Sequence, residues 1–304
     1  MRLIRLAVAL VFCGLVVVPL RGAASTEYYS ISRDDDLLRT IDPVDGSTIG
    51  VPVSISFPAA TVSGGNGLAT DPLTGDLYAL LRIQTGFPPD RWLVIIDPAT
   101  GVSTVIGNTG ARLSGLAFDS GGTLYTVTGD GEPVLGLGPE TLYTLSLIDA
   151  TPTFVTALGN GTGGEAIGFN PDDGFLYHAS GLINDPDFGD TRIFEKINLN
   201  TLVVTNIPLS GPDYTEITAL VFSGSSFFGA QTGFGIPPPV LLSLTDTGVA
   251  SIIGTTDHVV KGRPEPSSSL MLVAGAGFLA GLYRRGKRAG YGRPKPGQSP
   301  EPGL

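Results

Sequence analysis

The sequence predicts an all-β chain, a β-propeller of four-stranded blades. Three observations lead there: a strand pattern recurring about every 50 residues, one turn design used again and again, and inner strands that read as near-continuous apolar runs.

The recurring pattern comes first because it sets the blade. Gly67-Leu68-Ala69-Thr70-Asp71, Gly115-Leu116-Ala117-Phe118-Asp119, Ala166-Ile167-Gly168-Phe169-Asn170 and Ala219-Leu220-Val221-Phe222-Ser223 share one form, with Asp71, Asp119, Asn170 and Ser223 spaced by 48, 51 and 53 residues. Each precedes a turn and an aromatic strand: Leu77-Tyr78-Ala79, Leu124-Tyr125-Thr126, Leu176-Tyr177-His178 and Phe227-Phe228-Gly229. A third strand follows (Val94–Asp97, Thr144–Leu147, Glu195–Asn198, Leu242–Leu244, and Leu38–Asp42 at the start). A fourth ends in Ile-Gly or a similar pair at Gly50, Gly107, Gly159 and Gly254.

The turns have a physical explanation. Asp42-Pro43-Val44-Asp45-Gly46, Asp71-Pro72-Leu73-Thr74-Gly75, Asp97-Pro98-Ala99-Thr100-Gly101 and Asn170-Pro171-Asp172-Asp173-Gly174 open with a side chain that accepts from local amides. Proline then presets φ, and glycine takes the left-handed conformation that returns the chain to a strand. Five blades are expected, with six or an imperfectly closed ring as alternatives. The N-terminal Tyr28-Tyr29-Ser30-Ile31 matches the aromatic strand of a blade without its innermost strand, which a C-terminal strand around His258-Val259-Val260 could supply. This repeat resembles that of secreted propeller-like proteins with an Ile-Asp-Pro-x-Thr-Gly signature, a resemblance that carries no catalytic residues.

The ends of the chain are of a different kind. Arg2 and Arg5 precede an uncharged stretch, Leu6–Leu20, and then small residues at Gly22, Ala23 and Ala24. Residues 1–24 therefore read as a signal helix removed by signal peptidase between Ala24 and Ser25. The only cysteine, Cys13, lies within it in a setting unlike a lipidation site, so the mature chain is expected to contain no disulfide or thiol chemistry. At the other end, Pro264-Glu265-Pro266 is followed by three serines, the uncharged stretch Leu270–Tyr283, and a basic cluster of Arg284, Arg285, Lys287 and Arg288. The stretch is short for a membrane helix, but the arginines can snorkel. Positive charge behind it places the tail on the cytoplasmic side.

This order of elements over residues 264–288 resembles the PEP-CTERM sorting signal. The resemblance implies recognition by a membrane-embedded exosortase, with cleavage near the Pro-Glu-Pro element. It covers about 25 residues and says nothing of the main domain, and the Gly/Pro-rich tail at 289–304 departs from the usual pattern by continuing past the basic cluster. That tail is expected to be disordered.

The domain between, residues 25–263, holds nine Lys and Arg against 26 Asp and Glu, a formal charge of −17. Nucleic acid is excluded as a partner, since phosphate binding requires basic surface. Signs of chemistry are sparse. His178 and His258 have no metal-ligand spacing and read as structural. Gly107–Gly110 is a turn between strands, not a phosphate loop. Arg33-Asp34-Asp35-Asp36 lacks the alternating ligands of a calcium loop and reads as a solvated loop. The Asp185–Asp190 run reads as a polar loop, and Trp92 with Phe87-Pro88-Pro89 as a surface feature.

One constellation follows from aligning the repeats. Asn66, Ser114, Glu165 and Thr218 occupy one position, just before the inner strand, and could ring the channel mouth. A divalent cation such as Ca²⁺ is the ligand to consider there, the alternative being that these residues cap strand starts; otherwise no cofactor is expected. The expected function is that of an exported cell-surface or matrix protein acting without catalysis, with extracellular polysaccharide or another surface protein as partner. The alternatives are a propeller hydrolase, lyase or lactonase using a channel-mouth cation with Glu165 and Asn66, and a purely structural spacer.

Overall fold

The computed structural model describes residues 28–258, apart from 59, 86–89, 129–140, 159–165, 181–192, 213–215 and 234–235. The signal peptide, the sorting and anchor segment with its expected membrane helix, and the tail lie outside the described residues.

Among the described residues, nineteen strands form five antiparallel sheets, each a consecutive stretch of chain. The described strands of the first blade are β1 (Tyr28–Ile31), β2 (Leu37–Ile41) and β3 (Thr48–Ser54). The second comprises β4 (Val62–Thr70), β5 (Leu77–Ile83), β6 (Asp90–Ile96) and β7 (Ser103–Asn108). The third runs through β8 (Leu113–Phe118), β9 (Leu124–Thr128), β10 (Thr141–Leu145) and β11 (Pro152–Ala157). The fourth is β12 (Ala166–Asn170), β13 (Phe175–Ser180), β14 (Ile193–Asn198) and β15 (Val204–Asn206). The fifth is β16 (Glu216–Ser223), β17 (Ser226–Gly233), β18 (Ile236–Leu244) and β19 (Ala250–Thr255). Strand order within each sheet equals chain order, and the inner strands β4, β8, β12 and β16 neighbour one another in sequence around the middle. This is the five-bladed propeller that the repeat predicts.

Each turn of the repeated design forms as its residues dictate. The amides of Val44, Leu73, Ala99 and Asp172 donate to the side-chain oxygen of Asp42, Asp71, Asp97 and Asn170 at 2.8, 2.8, 2.9 and 2.9 Å. Four residues on from each opening residue, Gly46, Gly75, Gly101 and Gly174 close the loop onto its carbonyl with φ between 71 and 81°. Two turns do the same without glycine: Ala150 and Leu202 adopt φ of 62° and 58°.

The core is divided between the blades. One apolar cluster joins blades one and two (Ile31, Leu38, Leu81, Val94), a second joins two and three (Leu80, Leu93, Leu113, Leu116), and a third joins three and four (Val127, Leu142, Ile167, Leu176). The fourth, between blades four and five, is aromatic, with Phe227 lying 4.6 Å from Tyr177 and 5.0 Å from Phe222 between ring centroids. Burial on both faces explains the runs of apolar residues: in β5 six of seven residues are buried. Fully burying one such Leu or Phe contributes about 1.5–3 kcal/mol.

The seam between blades five and one is built differently. Tyr28 packs on Phe228 at 5.1 Å, and the Thr48 hydroxyl donates to Asp257 at 3.0 Å. Gly254 of β19 lies so close to the Asp45 carbonyl that an added Cβ would stand 1.8 Å from its oxygen. Gly107 of β7 meets the Asp149 carbonyl of the next blade in the same way, at 2.3 Å. At Gly107 and Gly254 the glycine of the Ile-Gly pair is thus a packing requirement, since the neighbouring blade's turn rests on it, whereas Gly50 has no atom within 4 Å of a Cβ position. The same contact at Gly254 and Asp45 shows that the fifth blade abuts the first.

Candidate functional site

Antiparallel blades divide their connections between two ends. The designed turns, between first and second strands and between third and fourth, gather on one face. The other face carries the strand ends between second and third strands and between blades, such as Ile83 and Asp90, Thr128 and Thr141, Ala157 and Ala166, and Ser180 and Ile193. The Asp185–Asp190 run lies outside the described residues.

Asn66, Ser114 and Thr218 lie at matching places in their blades, but within the inner strands rather than before them. Asn66 falls in β4 where the register slips between Gly65 and Gly67, and Thr218 falls in β16 at the slip between Ile217 and Ala219. Ser114 immediately precedes the corresponding slip in β8. These residues lie at or beside β-bulges, which re-aim side chains and bend the strand. All three are buried, Ser114 and Thr218 completely. The Thr218 hydroxyl donates to the Ala230 carbonyl at 3.3 Å, and Thr126 donates to the carbonyls of Ser114 and Gly115 at 3.1 and 2.9 Å. Asn66 differs. Its Oδ1 is buried with no hydrogen-bond partner among the described residues, an acceptor to which a cation, a water or a ligand donor would be suited. Glu165 lies outside the described residues, as do Ala24, Ser25, Pro264, Glu265, Pro266, Arg284 and Arg285. Among the described residues no group of three or more His, Cys, Asp or Glu could hold a metal ion.

Both histidines have structural partners that sequence reasoning missed. His178 on β13 directly faces Glu195 on β14, and its Nδ1–H donates to Oε1 at 3.0 Å with both side chains fully buried. The signal was available: at facing positions of neighbouring strands, both residues replace the Ala79 and Val94 of blade two. His258 sits at the seam, where the Ser30 hydroxyl donates to Nε2 at 2.5 Å and Nδ1–H donates to Asp257 at 2.6 Å. Burial lowers the His258 pKa below its ordinary value and the Arg39 charge adds to this, against opposing contributions from Asp257 and Asp35.

In the Asp34-Asp35-Asp36 run Asp34 is exposed, as expected of a solvated loop, while Asp35 and Asp36 are half-buried and partnered. Asp35 takes a two-pronged ion pair from Arg39 at 3.0 and 2.7 Å, and Asp36 accepts from the Ser54 hydroxyl at 2.6 Å. Burial pushes the Asp35 carboxyl up, but the Arg39 hydrogen bond, the Leu37 amide and the Arg39 and His258 charges bring it below its ordinary value. Trp92 is not a free surface aromatic either: it packs edge-on against Phe57 at 5.4 Å. Phe87, Pro88 and Pro89 lie outside the described residues.

A hydroxyl, an imidazole and a carboxylate in line at Ser30, His258 and Asp257 share the order of an activated serine. Ser30 and His258 are, however, only 4% and 7% exposed. Their hydrogen bonds join the chain that leaves blade five to the strand of blade one, which is a structural task.

No protein-family model matches the sequence, and no characterised protein matches it at the sequence level. Among solved structures, a puromycin hydrolase mutant complexed with PGG is 16% identical, with a TM-score of 0.39 over 77% of this chain and 36% of that one. Oligogalacturonate lyase in complex with manganese is 18% identical, with a TM-score of 0.42 over 74% of this chain and 64% of the lyase. The computationally designed Ika4 protein is 12% identical, with a TM-score of 0.33 over 67% and 98%. The chain spans about a third of the hydrolase and less than two thirds of the lyase. The fold conclusion rests on the strand order and packing above, not on these likenesses.

Proposed function

We propose that this protein is exported, sorted to the cell surface through its C-terminal segment, and acts there as a binding or structural propeller without catalysis. One observation carries the reading: Pro264-Glu265-Pro266, the uncharged stretch Leu270–Tyr283 and the cluster Arg284–Arg288 follow one another on a chain whose residues 1–24 have the charged, apolar and small-residue order of an export signal. The acidic domain supports recognition of a neutral or basic partner, with extracellular polysaccharide or another surface protein as the class. Antibody labelling of intact host cells tests it. Wild-type protein labels the surface, and replacing Arg284, Arg285, Lys287 and Arg288 with Gln abolishes the labelling. Labelling only after permeabilisation would overturn the proposal.

A second reading is favoured by the unpartnered Asn66 Oδ1. A cation at the channel mouth, held by Asn66 with Glu165, would polarise a substrate carbonyl or lower the pKa of a bound water in a hydrolase, lyase or lactonase. Its mark would be a Ca²⁺- or Mn²⁺-dependent rise in Tm that disappears in both Glu165→Ala and Asn66→Ala. A Tm indifferent to these cations removes the reading.

A further inference from the structure

We infer that the outer part of blade two carries a saccharide-binding site, in which the Trp92 and Phe57 rings form an apolar corner for one face of a neutral pyranose and the Asp90 carboxylate accepts hydrogen bonds from its hydroxyls. The choice of a saccharide rests on the binding reading proposed above; the placement of the groups does not.

The strand register brings these groups together. Side chains alternate across β6, so Asp90, Trp92 and Val94 share one face. Val94 packs with Ile31 and Leu38 of blade one, which turns that face towards the first blade. Asn108, the last residue of β7, stands directly opposite Trp92, and Asp90 stands opposite Ile83 at the end of β5. Thr85 follows Ile83 by two residues. The site therefore lies at strand ends, on the face away from the designed turns.

The polar groups are held in place by one another. The Thr85 hydroxyl donates to Asp90 Oδ2 at 2.6 Å, and the Asn108 side-chain amide donates to the same oxygen at 3.2 Å. Asn108 is fixed in turn by the Gly110 amide, which donates to its Oδ1 at 2.9 Å. Both bonds to Asp90 fall on Oδ2, and among the described residues Oδ1 accepts none. A carboxylate oxygen so placed accepts short, charge-assisted bonds from hydroxyls. Neighbours already locked together spare a ligand the cost of ordering them.

The site is also open. Thr85 and Asn108 are exposed, and Asp90, Trp92 and Phe57 are half-buried. A Cβ at Gly110 would meet nothing within 4 Å. Phe57, on the chain between β3 and β4, meets Trp92 with ring centroids 5.4 Å apart and planes inclined at 69°. The two rings thus make an angled apolar wall beside the polar trio. A pyranose divides its surface in the same way, with C–H groups on a ring face and hydroxyls around the edge. A lysine-bearing peptide also suits a carboxylate beside an aromatic ring. Asp90, however, already shares its charge with two donors, and the flanking hydroxyl and carboxamide are uncharged, which favours a neutral ligand.

Trp92 is the only tryptophan of the chain, so its emission reports this site and no other. The intact mature protein is titrated in EDTA with cellohexaose, maltohexaose, xylohexaose and mannohexaose, and binding is followed by tryptophan fluorescence and by calorimetry. At least one should bind with a saturable change in emission and several-fold protection from acrylamide quenching. Asp90→Asn, which keeps the side-chain shape, should weaken that affinity about tenfold or more. Asp172→Asn, on an exposed designed turn, should leave it unchanged. Calorimetric binding with silent Trp92 emission, or with an affinity indifferent to Asp90→Asn, overturns this site and leaves the binding reading in place. Binding of none of the four saccharides overturns the site as well, and surface labelling then decides the sorting reading by itself. An emission response to pentalysine and to none of the saccharides overturns the saccharide assignment in favour of a protein partner.

Discussion

Replacing Gly254 with alanine probes whether the ring is closed in solution. The added Cβ would stand 1.8 Å from the Asp45 carbonyl oxygen and 2.6 Å from its carbon, and both atoms are backbone. An ordinary carbon–oxygen approach is about 3.3–3.6 Å, so blades five and one must part by about 1.5 Å or more. No side chain can swing aside to absorb this. The cost should sit at the upper end of overpacking penalties, about 3 kcal/mol, which for a domain of this size lowers Tm by roughly 6–12 °C. The backbone of Gly254 is not left-handed, so the loss is steric alone. Two controls frame the result. Gly121→Ala, whose Cβ would come no closer than 3.3 Å to a flexible Asp119 carboxylate, should change stability by less than about 0.5 kcal/mol. Gly107→Ala, 2.3 Å from the Asp149 carbonyl, should resemble Gly254→Ala. Thermal unfolding of the three variants decides it. A Gly254→Ala protein as stable as Gly121→Ala would mean that the fifth blade does not rest on the first.

Further outcomes follow from the same contacts. Leu202→Gly relieves a left-handed leucine on an exposed turn and should raise stability by about 1 kcal/mol in chemical denaturation. Glu195→Ala strips the buried carboxylate from His178 and should cost about 3–5 kcal/mol; a loss under 1 kcal/mol would show that the pair is not a structural unit. The lowered pKa of His258 means that the unfolded chain binds its proton more readily. Its contribution is therefore full above the ordinary histidine pKa and is lost as pH falls through the folded value, so Tm of the wild type should drop more steeply from pH 7 to 5 than that of His258→Gln. Parallel curves for the two proteins would refute the assignment.

The elements that sequence alone revealed are local or periodic. Asp42 to Gly46 and its three counterparts specify a turn through groups within five residues of one another, and the 50-residue recurrence needs no knowledge of what packs where. The bulges were less legible. Whether Asn66 precedes a strand or interrupts one depends on the pairing of Gly65 and Gly67 with β5, which the pattern Gly64-Gly65-Asn66-Gly67 leaves open. Glu195 was readable in principle, as a polar residue facing His178, but only once the register of β13 and β14 was in hand. The seam contacts Thr48–Asp257 and Ser30–His258 join residues more than 200 positions apart, and no short-range pattern encodes them. The need for glycine at 107 and 254 emerged only from their three-dimensional approach to neighbouring turns.

Intact mass with fractionation of the protein from its native host tests export and sorting most directly. The account predicts a species that begins at Ser25, ends near Pro264–Ser269 and is released from the inner membrane. A species that keeps Leu270–Leu304 and stays in the inner membrane would contradict it, leaving a plain C-terminal anchor in place of a sorting signal.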